Sequence, residues 1–295
     1  MGAIVSLDPS VRKGKLFFDA GVLPVNVDLE KDLIGTLYAM MLDEIDHSQY
    51  EAGEIALFKN PVYYYGRYLD PKTRRYTLQN VISNVTAAID YLRMGDASSM
   101  RLLDLGCGLG MQSIIFATLG WEVLGIDLDA RCVALCQKRK AYYEERLKRE
   151  LKMQFLALDF RRLDPNSLGG KYNALFSMSA FAYIQPLGDT VAKVSGILSD
   201  KSRVLLWDQN PGYLGLDVLG LRHKVVPGPR GISEEFARHG FSTDFLHGAC
   251  AVPRQLWRSG MFEGATSRLN GLLKRSLRLS FSYLLGASRG RTAHA

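Results

Sequence analysis

The stretch "LLDLGCGLG", Leu102–Gly110, sets the reading of the whole chain. A hydrophobic run reaches an aspartate, and three of the next six residues are glycine. Inside a strand, glycine buries no side chain and costs backbone entropy. The pattern suits a chain that turns sharply at a strand end and leaves its backbone open to something bulky.

Outward from this turn, hydrophobic patterning alternates between strand and helix. "MRLLDLG" (100–106) reads as a buried strand and "MQSIIFATLG" (111–120) as a helix closed by glycine. "WEVLGIDL" (121–128), "MQFLALDF" (153–160), "YNALFSMS" (172–179) and "SRVLLWDQN" (202–210) read as further strands. Helices at 130–150 and 186–199 separate them. Such alternation implies a doubly wound α/β sheet, mostly parallel and covered on both faces.

The flanks differ. Residues 27–48 carry Leu29, Leu33, Leu37, Met41 and Ile45 at helical steps. A tyrosine-rich, basic connection (60–76) follows, then a second helix over 77–92. Towards the other end, 240–249 and 279–288 read as strands. Between them, 267–279 reads as a basic amphipathic helix with Leu269, Leu272, Leu273 and Leu277 on one face. The expected division is a helical cap or lid (1–95), a core (96–250), a basic helical insertion (251–278) and a last strand with tail (279–295).

Composition excludes some classes. The 295 residues are 47% hydrophobic, with no apolar run near the ~20 residues of a membrane span. Cys107, Cys132, Cys136 and Cys250 form no CxxC pair, which fits a reducing cytoplasm, and no metal site is expected. From Arg254 onward there are eight basic residues and one acid, Glu263, which accounts for the net charge of +7.

The glycine turn follows a strand, where doubly wound sheets bind ligands. A dinucleotide fingerprint would place its third glycine at 111, where this chain has Met111. Two further carboxylates end strands. Asp127 can accept from both hydroxyls of a ribose. Asp159 can accept from the exocyclic amine of an adenine, with Phe160 against the ring.

Over residues 100–210 the chain resembles the class I S-adenosylmethionine-dependent methyltransferases. Their four motifs look like "LLDLGCGLG", "VLGIDLD", "LALDF" and "YNALFSMSAF", in this order. The resemblance implies a seven-stranded, Rossmann-like sheet and S-adenosylmethionine as cofactor. Gly106 and Gly108 would admit it, Asp104 orient its amino-acid end, Asp127 hold the ribose and Asp159 read the adenine. Cys107, Gly110, Leu128, Phe160 and Ser177, within the same motifs, complete the implied set.

The methyl acceptor is less constrained. The fourth motif, "FSMSAFAYIQP", lacks the (Asp/Asn)-Pro-Pro-(Tyr/Phe) segment and the Pro-Cys nucleophile of DNA-base methylases, so DNA is not expected. No histidine stands shortly after the fourth strand, where Phe181, Ala182 and Tyr183 lie. Tyr183 and His223 are the candidate catalytic residues, with Asp208 an alternative base, and Arg67 or Tyr68 candidate contacts to the cofactor carboxylate. The cap and insertion suggest O-methylation of a bulky small molecule, such as a glycolipid or polyketide-like secondary metabolite. Arg268, Lys274, Arg275 and Arg278 opposite the leucine stripe suit peripheral contact with the inner membrane face. Two other readings stand beside this one: a catalytically inactive cofactor-binding partner subunit, and an RNA methyltransferase using the basic tail.

Overall fold

In the computed structural model the described residues are 16–18, 21–23, 29–47, 50–60, 64–95, 99–214, 227–251, 263–273 and 276–290. A short antiparallel hairpin, β1 (Leu16–Phe18) and β2 (Gly21–Leu23), precedes helices α1 (Leu29–His47), α2 (Ala52–Lys59), α3 (Tyr64–Leu69) and α4 (Arg74–Leu92). The alternating part follows: β3 (Arg101–Leu105), α5 (Met111–Thr118), β4 (Glu122–Asp127), α6 (Ala130–Leu147), β5 (Met153–Ala157) and β6 (Tyr172–Met178). Then come α7 (Leu187–Ile197), β7 (Leu198–Gln209), α8 (Pro229–Arg238), β8 (Phe241–Cys250), α9 (Glu263–Leu273) and β9 (Ser282–Arg289).

Seven strands form one sheet in the order β5-β4-β3-β6-β7-β9-β8. All neighbours are parallel except along β9, which is antiparallel to β7 and β8. The chain leaves β3 towards β4 on one side, and β6 lies on the other. The carboxyl ends of β3 and β6 therefore form the switch point where such sheets bind ligands.

The apolar strands are buried on both faces, which is why they read as unbroken hydrophobic runs. Leu102, Phe176, Leu205 and Trp207 face one core, shared with α5 and α6. Leu103, Leu175, Val204, Leu206 and Leu285 face the other, filled by Val191, Val194, Ile232 and Phe236 of α7 and α8. Ile34, Leu37 and Met41 of α1, with Val81, Val85 and Ile89 of α4, belong to the first core. The N-terminal helices thus pack into the molecule beside α5.

Several elements differ from the sequence expectation, among them the hairpin β1–β2 and α8, which it did not contain. The tyrosine-rich connection contains α3, and α2 precedes it, opened where the Glu51 N–H donates to Glu54 Oε2 at 3.0 Å. The third core strand stops at Ala157, because Asp159 caps a 3₁₀ turn through the N–H of Arg161. The basic helix starts and ends earlier than expected and is rotated. Asn270 faces inward, bonding the Ala251 N–H at 2.8 Å and Asn80 Oδ1 at 3.3 Å. Leu269 and Leu272 are left exposed.

Candidate active site

The turn after β3 is fastened to β4 by backbone. The N–H groups of Gly106 and Cys107 both donate to the Ile126 carbonyl, at 2.8 and 3.1 Å. Gly106 has φ +76°, and a Cβ there would lie 2.1 Å from that of Ala180, in the turn after β6. Gly110 has φ +73°, and a Cβ there would lie 2.8 Å from Cys136 Sγ. Only glycine meets both demands without displacement.

Asp127 completes the turn. Its Oδ2 accepts the Gly108 N–H at 2.8 Å and its Oδ1 the Asp129 N–H at 2.9 Å. Each oxygen keeps a further lone pair for a ligand hydroxyl. Leu128 beside it is 73% exposed, an apolar face of the kind a flat ring covers. Asp104 is buried behind the turn and accepts from Ser113 Oγ at 2.6 Å. These residues fit the nucleoside and amino-acid ends of S-adenosylmethionine.

Other candidates have partners of their own. Asp159 pairs with Arg161 at 2.6 Å, and the guanidinium holds its carboxyl down at about 2. Phe160 is buried in the second core beside Leu124 and Ile126. Ser177 Oγ donates to the Leu105 carbonyl at 2.7 Å, tying β6 to the end of β3. Cys107 is buried, so it lends the site backbone alone. Tyr183 is half exposed and donates to Gln209 Oε1 at 3.1 Å. His223, Lys274 and Arg275 lie outside the described residues.

Three residues of the site escaped sequence reasoning. Arg139 on α6 is fully buried, grips Glu44 of α1 through both carboxylate oxygens (2.8 and 3.1 Å) and donates to the Leu109 carbonyl. Tyr65 of α3 accepts the Met111 N–H at 3.1 Å and donates to Gln112 Oε1 at 3.4 Å. It is thus Tyr65, from the "YYYGRY" stretch, that reaches the glycine turn and supplies the cap that Gly110 lacks at the start of α5. Cys132, Cys136, Arg139 and Tyr143 recur at helical spacing, and that buried stripe was the available signal.

Burial pushes the Asp104 carboxyl up to about 7, with the Ser113 hydrogen bond opposing and the Asp127 charge adding. The folded protein therefore holds a proton that the unfolded chain has released near its ordinary value of 3.8. Stability from this group falls as pH rises between those values, by up to roughly 1.4 kcal/mol per pH unit. Urea unfolding at pH 5 and pH 7.5 should show Asp104→Asn gaining on the wild type at the higher pH. A constant difference would remove the assignment.

The chain is similar to known proteins in sequence and in fold. Residues 102–201 match the family described as Methyltransferase domain. The chain is 29% identical over 135 residues to magnesium-protoporphyrin O-methyltransferase of Synechocystis sp., covering 46% of this chain and 55% of that protein. It is 23% identical over 154 residues to ubiquinone biosynthesis O-methyltransferase of Rhodopseudomonas palustris, covering 51% and 57%. The chain thus spans just over half the length of these curated relatives. In three dimensions it is similar to magnesium protoporphyrin IX methyltransferase of Synechocystis with bound SAH. The TM-score is 0.53 and the identity 19%, covering 86% of this chain and 100% of that one. Geranyl diphosphate C-methyltransferase of Streptomyces coelicolor gives 0.54 at 13% identity, covering 90% and 100%. These likenesses concern the fold. Domain match and strand order thus agree on a methyltransferase domain over residues 102–201, within a chain whose fold is similar to that of these two structures.

Proposed function

We propose that the protein binds S-adenosylmethionine and methylates an oxygen of a small, partly apolar molecule. The observation that carries this reading is Asp127, held by the N–H groups of Gly108 and Asp129 with lone pairs to spare for a ribose. The bound cofactor supplies a methyl group on a sulfonium, whose leaving group is already good. The chain's own contribution is then placement. Gly106 and Gly108 let the backbone approach, Asp104 braces the turn from behind through Ser113, and Leu128 covers the ring. Alignment of an acceptor behind the methyl supplies much of the acceleration in such a reaction. The two curated relatives are O-methyltransferases named for a porphyrin and a quinone, which supports oxygen and a bulky acceptor.

Calorimetric titration with S-adenosylmethionine, S-adenosylhomocysteine and NAD tests the cofactor. The first two should bind and NAD should not. Asp127→Ala should weaken S-adenosylhomocysteine binding by about 1–3 kcal/mol; unchanged affinity in a folded variant would overturn the ribose role.

The acceptor is proposed to come from an anionic membrane surface. Leu272 is 63% exposed on α9, beside exposed Leu269 and Arg268, and the tail from Arg254 is strongly basic. Among the described residues, no helix is long and apolar enough to cross a membrane. Contact would therefore be lateral.

A further inference from the structure

Asp208 lies at the carboxyl end of β7, fully buried, and has had no part in the cofactor site. Its Oδ2 accepts the Ala182 N–H at 3.0 Å. Its Oδ1 has no hydrogen-bond partner among the described residues. Directly opposite in the β7–β9 register is Tyr283, also fully buried, and its hydroxyl has no partner there either. Residues opposite each other in an antiparallel pair project to the same face with Cβ atoms about 4.5–5.5 Å apart. Buried polar groups are nearly always paired, so two orphans side by side call for a reason.

The reason lies in the turn above them. Ala182 belongs to the segment after β6 whose Ala180 lies against Gly106 of the cofactor turn. The next residue, Tyr183, bonds Gln209, the neighbour of Asp208. One short turn therefore rests on the glycine loop at one end and on the buried carboxyl at the other.

We propose that Asp208 is a positioning residue whose negative charge holds the turn 179–183 against the glycine loop, so that Tyr183 and the cofactor site are in place together. This rests on the methyltransferase reading only for its consequence in catalysis; the clamp itself is a property of the free protein. A carboxylate is a much stronger acceptor for the Ala182 N–H than a neutral carboxyl. When Asp208 is protonated the acceptor loses its charge, and the hold on Ala182 weakens. Burial pushes the Asp208 carboxyl up to about 7, so this change falls near neutrality. The groups facing it are Tyr183 from the turn, Tyr283 from β9 and the N–H groups of Ala182 and Gln209, with no ion-pair partner among the described residues.

The test is hydrogen exchange at the Ala182 amide in ligand-free protein, corrected for intrinsic rate, at pH 6 and pH 8. Protection should rise at least about fivefold at the higher pH, the difference between a charge-assisted and a neutral hydrogen bond. Asp208→Asn should remove the rise, and Tyr283→Phe, a milder change that keeps the ring, should shift its midpoint. Protection independent of pH in the wild type, or equal in all three proteins, would overturn the proposal. Titration with S-adenosylhomocysteine separates the two readings. Affinity that follows Ala182 protection in the wild type and not in Asp208→Asn supports both. A pH-dependent clamp in a protein that binds no S-adenosylhomocysteine would leave the positioning role standing and defeat the cofactor assignment.

Discussion

Arg139→Met is expected to destabilise the protein by about 3–5 kcal/mol in urea unfolding, because it strands a carboxylate in the core. Arg139 and Glu44 are both completely buried and joined by two charge-assisted bonds. Their desolvation is tolerable only while the pair is intact. The guanidinium also sits near the rings of Phe58, Tyr65 and Tyr143, at 5.2, 5.8 and 5.6 Å from their centroids. Methionine fills the volume but leaves Glu44, among the described residues, with the Tyr50 hydroxyl 2.6 Å away as its remaining hydrogen-bond donor. Adding Glu44→Leu should recover much of the loss, since an apolar pair has no uncompensated charge. An Arg139→Met protein as stable as wild type would mean that the carboxylate had found water or a proton. The Leu109 carbonyl loses its donor in the same variant, so affinity for S-adenosylhomocysteine should fall with stability.

Gly106→Ala is the second large effect. The left-handed backbone costs an L-residue about 1–2 kcal/mol, and the new methyl meets Ala180 at 2.1 Å. Overpacking of that kind typically costs about 1–3 kcal/mol more. The sum, roughly 2–5 kcal/mol, should divide between folding and cofactor affinity according to how far the turn after β6 gives way. Unfolding and calorimetric titration on one preparation measure both parts. A Gly106→Ala protein unchanged in both would show that the two turns do not touch.

The strands and their functional ends were legible because they depend on local pattern. Unbroken apolar runs ending in Asp104 and Asp127 carry both the burial and the carboxylates. Tyr65 and the Glu44–Arg139 pair were not. Charged residues in "CQKRKAYYEERLKRE" read as a solvated face; the spacing of Cys132, Cys136 and Tyr143 could have turned Arg139 inward, but nothing local names Glu44 of α1 as its partner. The inward Asn270 is a similar case: a leucine stripe predicts the buried face, but hydrogen bonds to Ala251 and Asn80 outrank it. The clamp on Asp208 joins positions 26 residues apart on different elements, and sequence spacing is blind to that contact.

The Glu44–Arg139 bond joins positions 95 apart in the chain. The same guanidinium holds the Leu109 carbonyl, so the glycine turn is tied through α6 to a helix near the start of the chain. The stretch recognisable as a methyltransferase domain, residues 102–201, therefore leaves out Glu44 and Tyr65, which hold the turn from outside it. A chain cut before residue 96 would keep every motif and lose the hydroxyl on the Met111 N–H together with the counter-ion of Arg139. In this molecule the contacts that complete the ligand cradle reach beyond the stretch by which its sequence is recognised.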